Sequence, residues 1–124
     1  MANGSITHVA GATAEEFLRV KKCLPDWECV NTTLNDGETA LSCNPETSNL
    51  IIIYARKDEE KTHSICEQIR KTQKGQEMPI LLVISRYQIP QGNDVKRMGN
   101  AAFIFSPFNE RELADKISGL LEGS

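Results

Sequence analysis

Apolar residues fall along this chain in short runs and in helical stripes, and the two kinds of segment alternate. Ile6 to Ala10 reads as a first short strand. Thr13 is placed to cap a helix, with Glu16 three residues on at the capping-box spacing. That helix carries Phe17, Val20 and Leu24 on one side with Leu18 beside them, and Pro25 ends it. Trp27 to Thr32 alternates and is rich in β-formers, which predicts a second strand. Asn35-Asp36-Gly37 is a turn signal, and a short helix over Glu38 to Cys43 would stop before Pro45. Leu50 to Tyr54 is nearly all isoleucine, the mark of a strand buried on both faces. Lys61 to Thr72 is helical by pattern, with Ile65, Cys66 and Ile69 on one face and Glu60, Glu67, Arg70 and Lys71 solvated. Pro79 to Ile84 repeats the wholly apolar strand. Pro90 and Gly92 leave room for only a brief helix from Asp94 to Met98, ended by Gly99. Ala101 to Phe105 is a fifth strand. After Pro107, Asn109 caps a last helix, with Glu112 at the capping-box position and Leu113, Ile117, Leu120 and Leu121 turned inward.

Strands alternating with helices, the later strands apolar throughout, predict an α/β fold with a parallel sheet and helices on both faces. Right-handed crossovers leave few topologies, and the flavodoxin-like order 2-1-3-4-5 is the expectation. In such sheets the chemistry sits beyond the carboxyl ends of the strands, here the segments after Ala10, Tyr54, Ile84 and Phe105.

Length and composition then narrow the class. At 124 residues the chain is one domain's worth, read as a flexible tail over 1–5 and a single domain over 6–124. The 40% hydrophobic and 25% charged fractions argue against disorder, and a net charge of −3 gives no electrostatic footprint for nucleic acid. No apolar run approaches the roughly 20 residues of a membrane span, and no apolar leader opens Met1 to Thr7. Cys23, Cys29, Cys43 and Cys66 form no Cys-x-x-Cys pair and no metal spacing with His8 or His63. Free thiols filling core gaps in a cytoplasmic protein are the expectation, with a Cys23–Cys29 disulfide left open.

The order and spacing of these pieces carry a resemblance. The βα series ending in Asn-Ala-Ala-Phe-Ile-Phe-Ser-Pro-Phe over 100–108, followed by an amphipathic helix, resembles a two-component response-regulator receiver domain. Asp-Gly-Glu-Thr-Ala-Leu over 36–41 is similar to that family's motif after its second strand. Leu50-Ile-Ile-Ile53 resembles its third strand, with Ile65, Cys66, Ile69 and Arg70 in register behind it. Pro79 to Ser85 resembles its fourth strand and the hydroxyl residue that closes it. The match runs from Ile6 over essentially the whole chain.

The resemblance implies a set of site positions. Receivers hold Mg²⁺ with two acidic residues after the first strand and an acceptor aspartate after the third. A hydroxyl residue after the fourth strand binds the phosphoryl group, and a lysine after the fifth neutralises it. Here the acidic pair falls on Ala10 and Gly11, the acceptor on Tyr54 and the lysine on Ser106. The hydroxyl is kept as Ser85, the following proline as Pro107, and the aromatic switch position as Phe103. Without the carboxylates and the lysine nothing offsets the charge of an incoming phosphoryl group, and that positioning is nearly the whole of phosphoryl-transfer catalysis. Tyr54, a neutral phenol with a pKa of about 10, reads as a plug in the vacated cavity, its hydroxyl bonded to a partner such as Ser85 or Ser106.

The chain thus looks like a pseudo-receiver: no enzyme, no cofactor and no metal, acting by protein contact in signalling of phosphorelay type. Receivers commonly use the face built from the fourth helix, the fifth strand and the fifth helix for partner or dimer contacts. That implies Asp94, Lys96, Arg97, Phe108, Arg111, Asp115 and Lys116 as candidates for a protein partner or a homodimer, with neither nucleic acid nor membrane as the direct target. Two other readings stand beside this one. An active receiver would use a relocated acceptor such as Asp58, although Arg56 and Lys57 mix the local charge. A small-molecule binder on the same scaffold would need a hydroxyl-rich phosphate loop after the first strand, where only Thr13 is offered. Glu15 and Glu16 read as a helix first turn and Asp58 to Glu60 as a solvated loop, while His63 reads as a surface residue. Gly11 lacks the company of a phosphate loop, and Ser85 lacks a nucleophile elbow.

Overall fold

A computed structural model describes residues 5–32, 48–54, 66–71, 78–85, 101–106 and 108–122. The elements run β1 (Ile6–Ala10), α1 (Ala14–Cys23), β2 (Glu28–Thr32), β3 (Leu50–Tyr54), a helix α2 over 66–71, β4 (Ile80–Ser85), β5 (Ala101–Ser106) and α3 (Glu110–Glu122). All five strands are parallel and lie in the order β2-β1-β3-β4-β5. This is the flavodoxin-like arrangement the alternating pattern predicts. The turn over 35–37, the short helices over 38–43 and 94–98, the Asp58 and His63 segment, and residues 1–4 lie outside the described residues.

The strands sort their side chains by parity, as a pleated backbone must. Val9, Leu50, Ile52, Tyr54, Leu81, Val83 and Ile104 join one core cluster, closed by Val20 and Leu24 from the α1 end and by Leu113, Ile117 and Leu120 from α3. Ala10, Ile51, Ile53, Ile80 and Leu82 join the other, where Cys66 and Ile69 of α2 cover them. β3 is buried along its whole length, which is why it tolerates five consecutive residues with no charge.

Both long helices start on reciprocal caps. Thr13, in extended conformation, accepts from the Glu16 N–H at 3.2 Å, and its own N–H donates to the Glu16 carboxylate at 2.8 Å. Asn109 and Glu112 repeat the exchange at the head of α3. α1 stops at Cys23 because Pro25 disfavours a helical Leu24, whose N–H still reaches the Val20 carbonyl at 3.1 Å.

Several expectations are corrected. Leu18 is 56% exposed and Leu121 39% exposed, so neither belongs to the core. Each sits beside the apolar stripe, and the stripe has room for one residue of the adjacent pair. Arg70 is half-buried rather than solvated, and its guanidinium donates to the Met78 carbonyl at 2.6 Å. Ser5, assigned to the tail, is buried, and its carbonyl accepts from the Glu28 N–H. The second strand begins at Glu28 rather than Trp27, and β4 and β5 each run one residue further, to Ser85 and Ser106. Cys23, Cys29 and Cys66, by contrast, are free thiols as expected, and the Cys23–Cys29 bridge left open is not formed.

Candidate functional site at the carboxyl ends of the strands

The sheet register brings the four sequence-predicted positions to one end of the molecule. Ala10 pairs with Ile53, Tyr54 with Val83, and Ser85 with Ser106. The ends of β1, β3, β4 and β5 therefore stand side by side, with Gly11, Tyr54, Ser85 and Ser106 as their last or next residues. β3, β4 and β5 are apolar up to their final residues, whereas β1 carries Thr7 and His8 within it; the register alone sets the four ends level.

Among the described residues of the crown, positions 10, 11 and 54 bring no carboxylate. Ala10 is fully buried on the α2 face of the sheet. Gly11 turns the chain out of β1 at φ 79°, in the left-handed region that glycine enters without a steric penalty. Tyr54 is 3% exposed and shares the α1–α3 cluster with Val9, Val83 and Ile104. Its phenol is thus set in an apolar wall rather than in an open cleft. The backbones of Ser85 and Ser106 are placed by the β4–β5 ladder; their side chains, and Pro107, lie outside the described residues. Whether Ser85 or Ser106 meets the Tyr54 hydroxyl falls with them.

A divalent cation such as Mg²⁺ asks for hard carboxylate oxygens. A methyl at 10, a hydrogen at 11 and a phenol at 54 do not supply them, so these residues do not fit the ion. Among the described residues no group of three His, Cys, Asp or Glu could hold a metal. Of the nearby acids after β1, Glu16 is engaged in the α1 cap and Glu15 is exposed in the first helical turn.

The predicted contact residues divide. Arg111, Asp115 and Lys116 are exposed on α3. Phe108 is not a surface residue: it is buried in the α1–α3 cluster, where it seals the turn into α3. Asp94, Lys96 and Arg97 lie outside the described residues. Phe103 is half-buried, forms an edge-to-face pair with Phe105 at 5.5 Å and 77°, and lies under the Lys116 ammonium at 5.7 Å.

A second polar cluster, absent from the sequence reading, lies toward the opposite end of the sheet. His8 Nδ1 and Ser48 Oγ are 2.6 Å apart and buried. Asn49 clamps Ile6 twice, its side-chain oxygen accepting from the Ile6 N–H and its N–H donating to the Ile6 carbonyl. Burial pushes the His8 imidazole below its ordinary pKa, and Glu28 opposes that in part. Burial also raises the Cys23 thiol, with Glu110 adding to the rise and Arg19 opposing it, and it raises Cys29 against Lys21, so neither is a ready nucleophile.

No family model and no curated protein matches the chain. Solved structures do. The chemotaxis response regulator CheY4 of Vibrio cholerae superposes at a TM-score of 0.76 with 16% identity, over 94% of this chain and 98% of that one. A signal receiver domain of a two-component histidine kinase from Clostridium thermocellum gives 0.70 with 14% identity, over 96% and 98%. A putative pilus assembly-related protein from Burkholderia pseudomallei gives 0.76 with 14% identity, over 98% and 92%. The class of protein defined here is one of receiver-domain fold. At these identities the likeness is one of fold, and function has to be argued from the site. Among the described residues no helix is long and apolar enough to cross a membrane.

Proposed function

We propose that the chain is a signalling module of phosphorelay type that works by protein contact and does not take up a phosphoryl group. One observation carries the reading: the acceptor position is a tyrosine, 3% exposed and packed in an apolar cluster. A phosphoryl group arriving there would meet a buried aromatic ring and, among the described residues, no group of carboxylates that could hold a cation. Charge stabilisation of that kind is most of what catalyses its transfer. The positive φ at Gly11 supports the same reading, because an acidic side chain at that position would be strained.

Regulation would then come from a partner that binds one conformation better than another. The neighbour from Clostridium thermocellum is the receiver domain of a histidine kinase signalling protein, and a kinase or an output domain is a partner of the same kind for this chain. The exposed flank of α3, with Arg111, Asp115 and Lys116, and the β5 aromatics form the described part of the contact face.

The test is a two-dimensional NMR titration with acetyl phosphate and with Mg²⁺–beryllofluoride. The spectrum should be unchanged. Specific shifts clustered at Tyr54, Ser85 and Ser106 would overturn the proposal, as would a stoichiometric acyl-phosphate mapped to an acidic residue such as Asp58.

A further inference from the structure

Among the described residues, one buried side chain carries a polar atom with no hydrogen-bond partner, the hydroxyl of Thr7. The residue is fully buried, so this hydroxyl has lost water and gained nothing in its place, which costs stability and calls for a reason. Its surroundings supply one. Thr7 stands opposite Cys29 in the β1–β2 ladder, and residues opposed in a ladder share a face of the sheet. That face is the α1–α3 side: Thr7 alternates with Val9, and Cys29 packs against the cluster that holds Val9. Hydroxyl and thiol are therefore neighbours. β2 ends the sheet there, and Cys29 is half-buried, so it keeps a path to solvent while Thr7 stays dry.

We propose that Cys29 is a site of oxidation by hydrogen peroxide, and that Thr7 is the positioning residue that donates to the oxidised sulfur. The thiolate sulfur attacks one peroxide oxygen, and the S–O bond forms as the O–O bond breaks. Sulfur loses two electrons and the peroxide gains them. The departing hydroxide takes up the proton that the thiol released, leaving water and a sulfenic acid at Cys29. The inference goes beyond the contact-driven reading above and does not depend on it.

The chemistry of the pair fits that role. A neutral thiol is a weak acceptor, and the Cys29 S–H itself points at the distant Trp27 carbonyl, 4.0 Å away. The Thr7 hydroxyl therefore stays unpaired beside the reduced sulfur. An oxygen added to that sulfur is a strong acceptor, and the orphaned donor then has a partner. Charge separates Cys29 from the other half-buried thiol. The charged group that bears on Cys29 is Lys21, a cation, whereas Cys23 meets the Glu110 carboxylate as well as Arg19. Burial keeps the Cys29 thiolate scarce at neutral pH, so the reaction is slow and quickens as the pH rises. Cys66 is shut in the core.

Exposure of the full chain to hydrogen peroxide, followed by dimedone trapping and peptide mass mapping, tests this. Cys29 should carry more of the sulfenic adduct than Cys23 or Cys66, and its yield should climb from neutral to mildly alkaline pH. In Thr7→Val the Cys29 sulfenate should be lost roughly five times faster, the factor that one hydrogen bond of about 1 kcal/mol represents. Thr7→Ser, which keeps the hydroxyl, should restore the wild-type lifetime; a merely structural role for Thr7 would not produce that rescue. Should either variant fail to fold, the mapping on the wild type decides alone. Adduct at Cys23 equal to or above that at Cys29, a Cys29 left unlabelled, or a sulfenate equally long-lived in Thr7→Val would each overturn the proposal. Uptake of phosphate would sink the preceding section's reading and leave this site standing.

Discussion

The two ends of the sheet solve the same problem by opposite means. At the amino-terminal end, backbone and polar side chains are paired one by one: Asn49 with Ile6, Ser48 with His8, Ser5 with Glu28, and the Ile51 N–H with the Pro79 carbonyl. At the carboxyl end, where receiver folds keep their chemistry, Ala10, Gly11 and Tyr54 offer a methyl, a hydrogen and a buried ring. The first end is specified by hydrogen bonds, whereas positions 10, 11 and 54 bring no charge to the second. A strand end without charges needs no counter-ions and can be packed shut, whereas one crossed by chain entries must satisfy every donor it buries.

That contrast can be broken most sharply at Tyr54. Tyr54→Asp buries a carboxylate in the cluster of Val9 and Val83 with no cation among the described residues of that cluster to pair it, and should cost about 3 kcal/mol or more. A urea unfolding midpoint no lower than the wild type's would mean that the crown opens to water. Tyr54→Phe, which keeps the ring and loses only the hydroxyl, should cost about 1 kcal/mol or less.

Among the described residues, the amino-terminal end has one exception to its pairing rule. Thr7 is fully buried, and its hydroxyl has no hydrogen-bond partner. Thr7→Val should therefore raise stability by about 1 kcal/mol, read as an increased denaturation midpoint. A loss of stability would mean that the hydroxyl is satisfied after all and that the pairing extends further than described.

The gentlest probe is pH. Burial holds the folded-state pKa of His8 below its ordinary value of 6.5. The unfolded chain therefore binds the proton more readily. The contribution of neutral His8 is fully present above that value and is lost as pH falls through it toward the lower folded pKa. His8→Gln, which keeps hydrogen-bonding capacity without titrating there, should flatten this limb of the stability profile. An unaltered limb would move the titration to another group.

How much of this could be read from the residues follows from how local each signal is. β1 and β3 carry the bounds their apolar runs suggest, and both capping boxes form, because a cap is settled within four residues of sequence. Leu18 and Leu121 misled because each neighbours a true core position, and a stripe fixes its edges only once the helix is laid on the sheet. Arg70 misled because its partner, the Met78 carbonyl, lies beyond its own helix. The His8–Ser48 and Ile6–Asn49 bonds join residues 40 and 43 positions apart, and nothing near either partner announces the other. At the crown, the identities at 10, 54 and 106 were visible as departures from the receiver pattern. What the sequence could not show was that Tyr54 is walled in by the α1–α3 cluster, or that the backbone bends to the left at Gly11.

That bend bears on whether such a crown could be given a divalent-cation site. Installing carboxylates at 10 and 54 and an amine at 106 would still leave position 11 in a conformation that charges an L-residue roughly 1–2 kcal/mol. A cation site built here thus meets a backbone cost at 11 as well as the exchange of side chains.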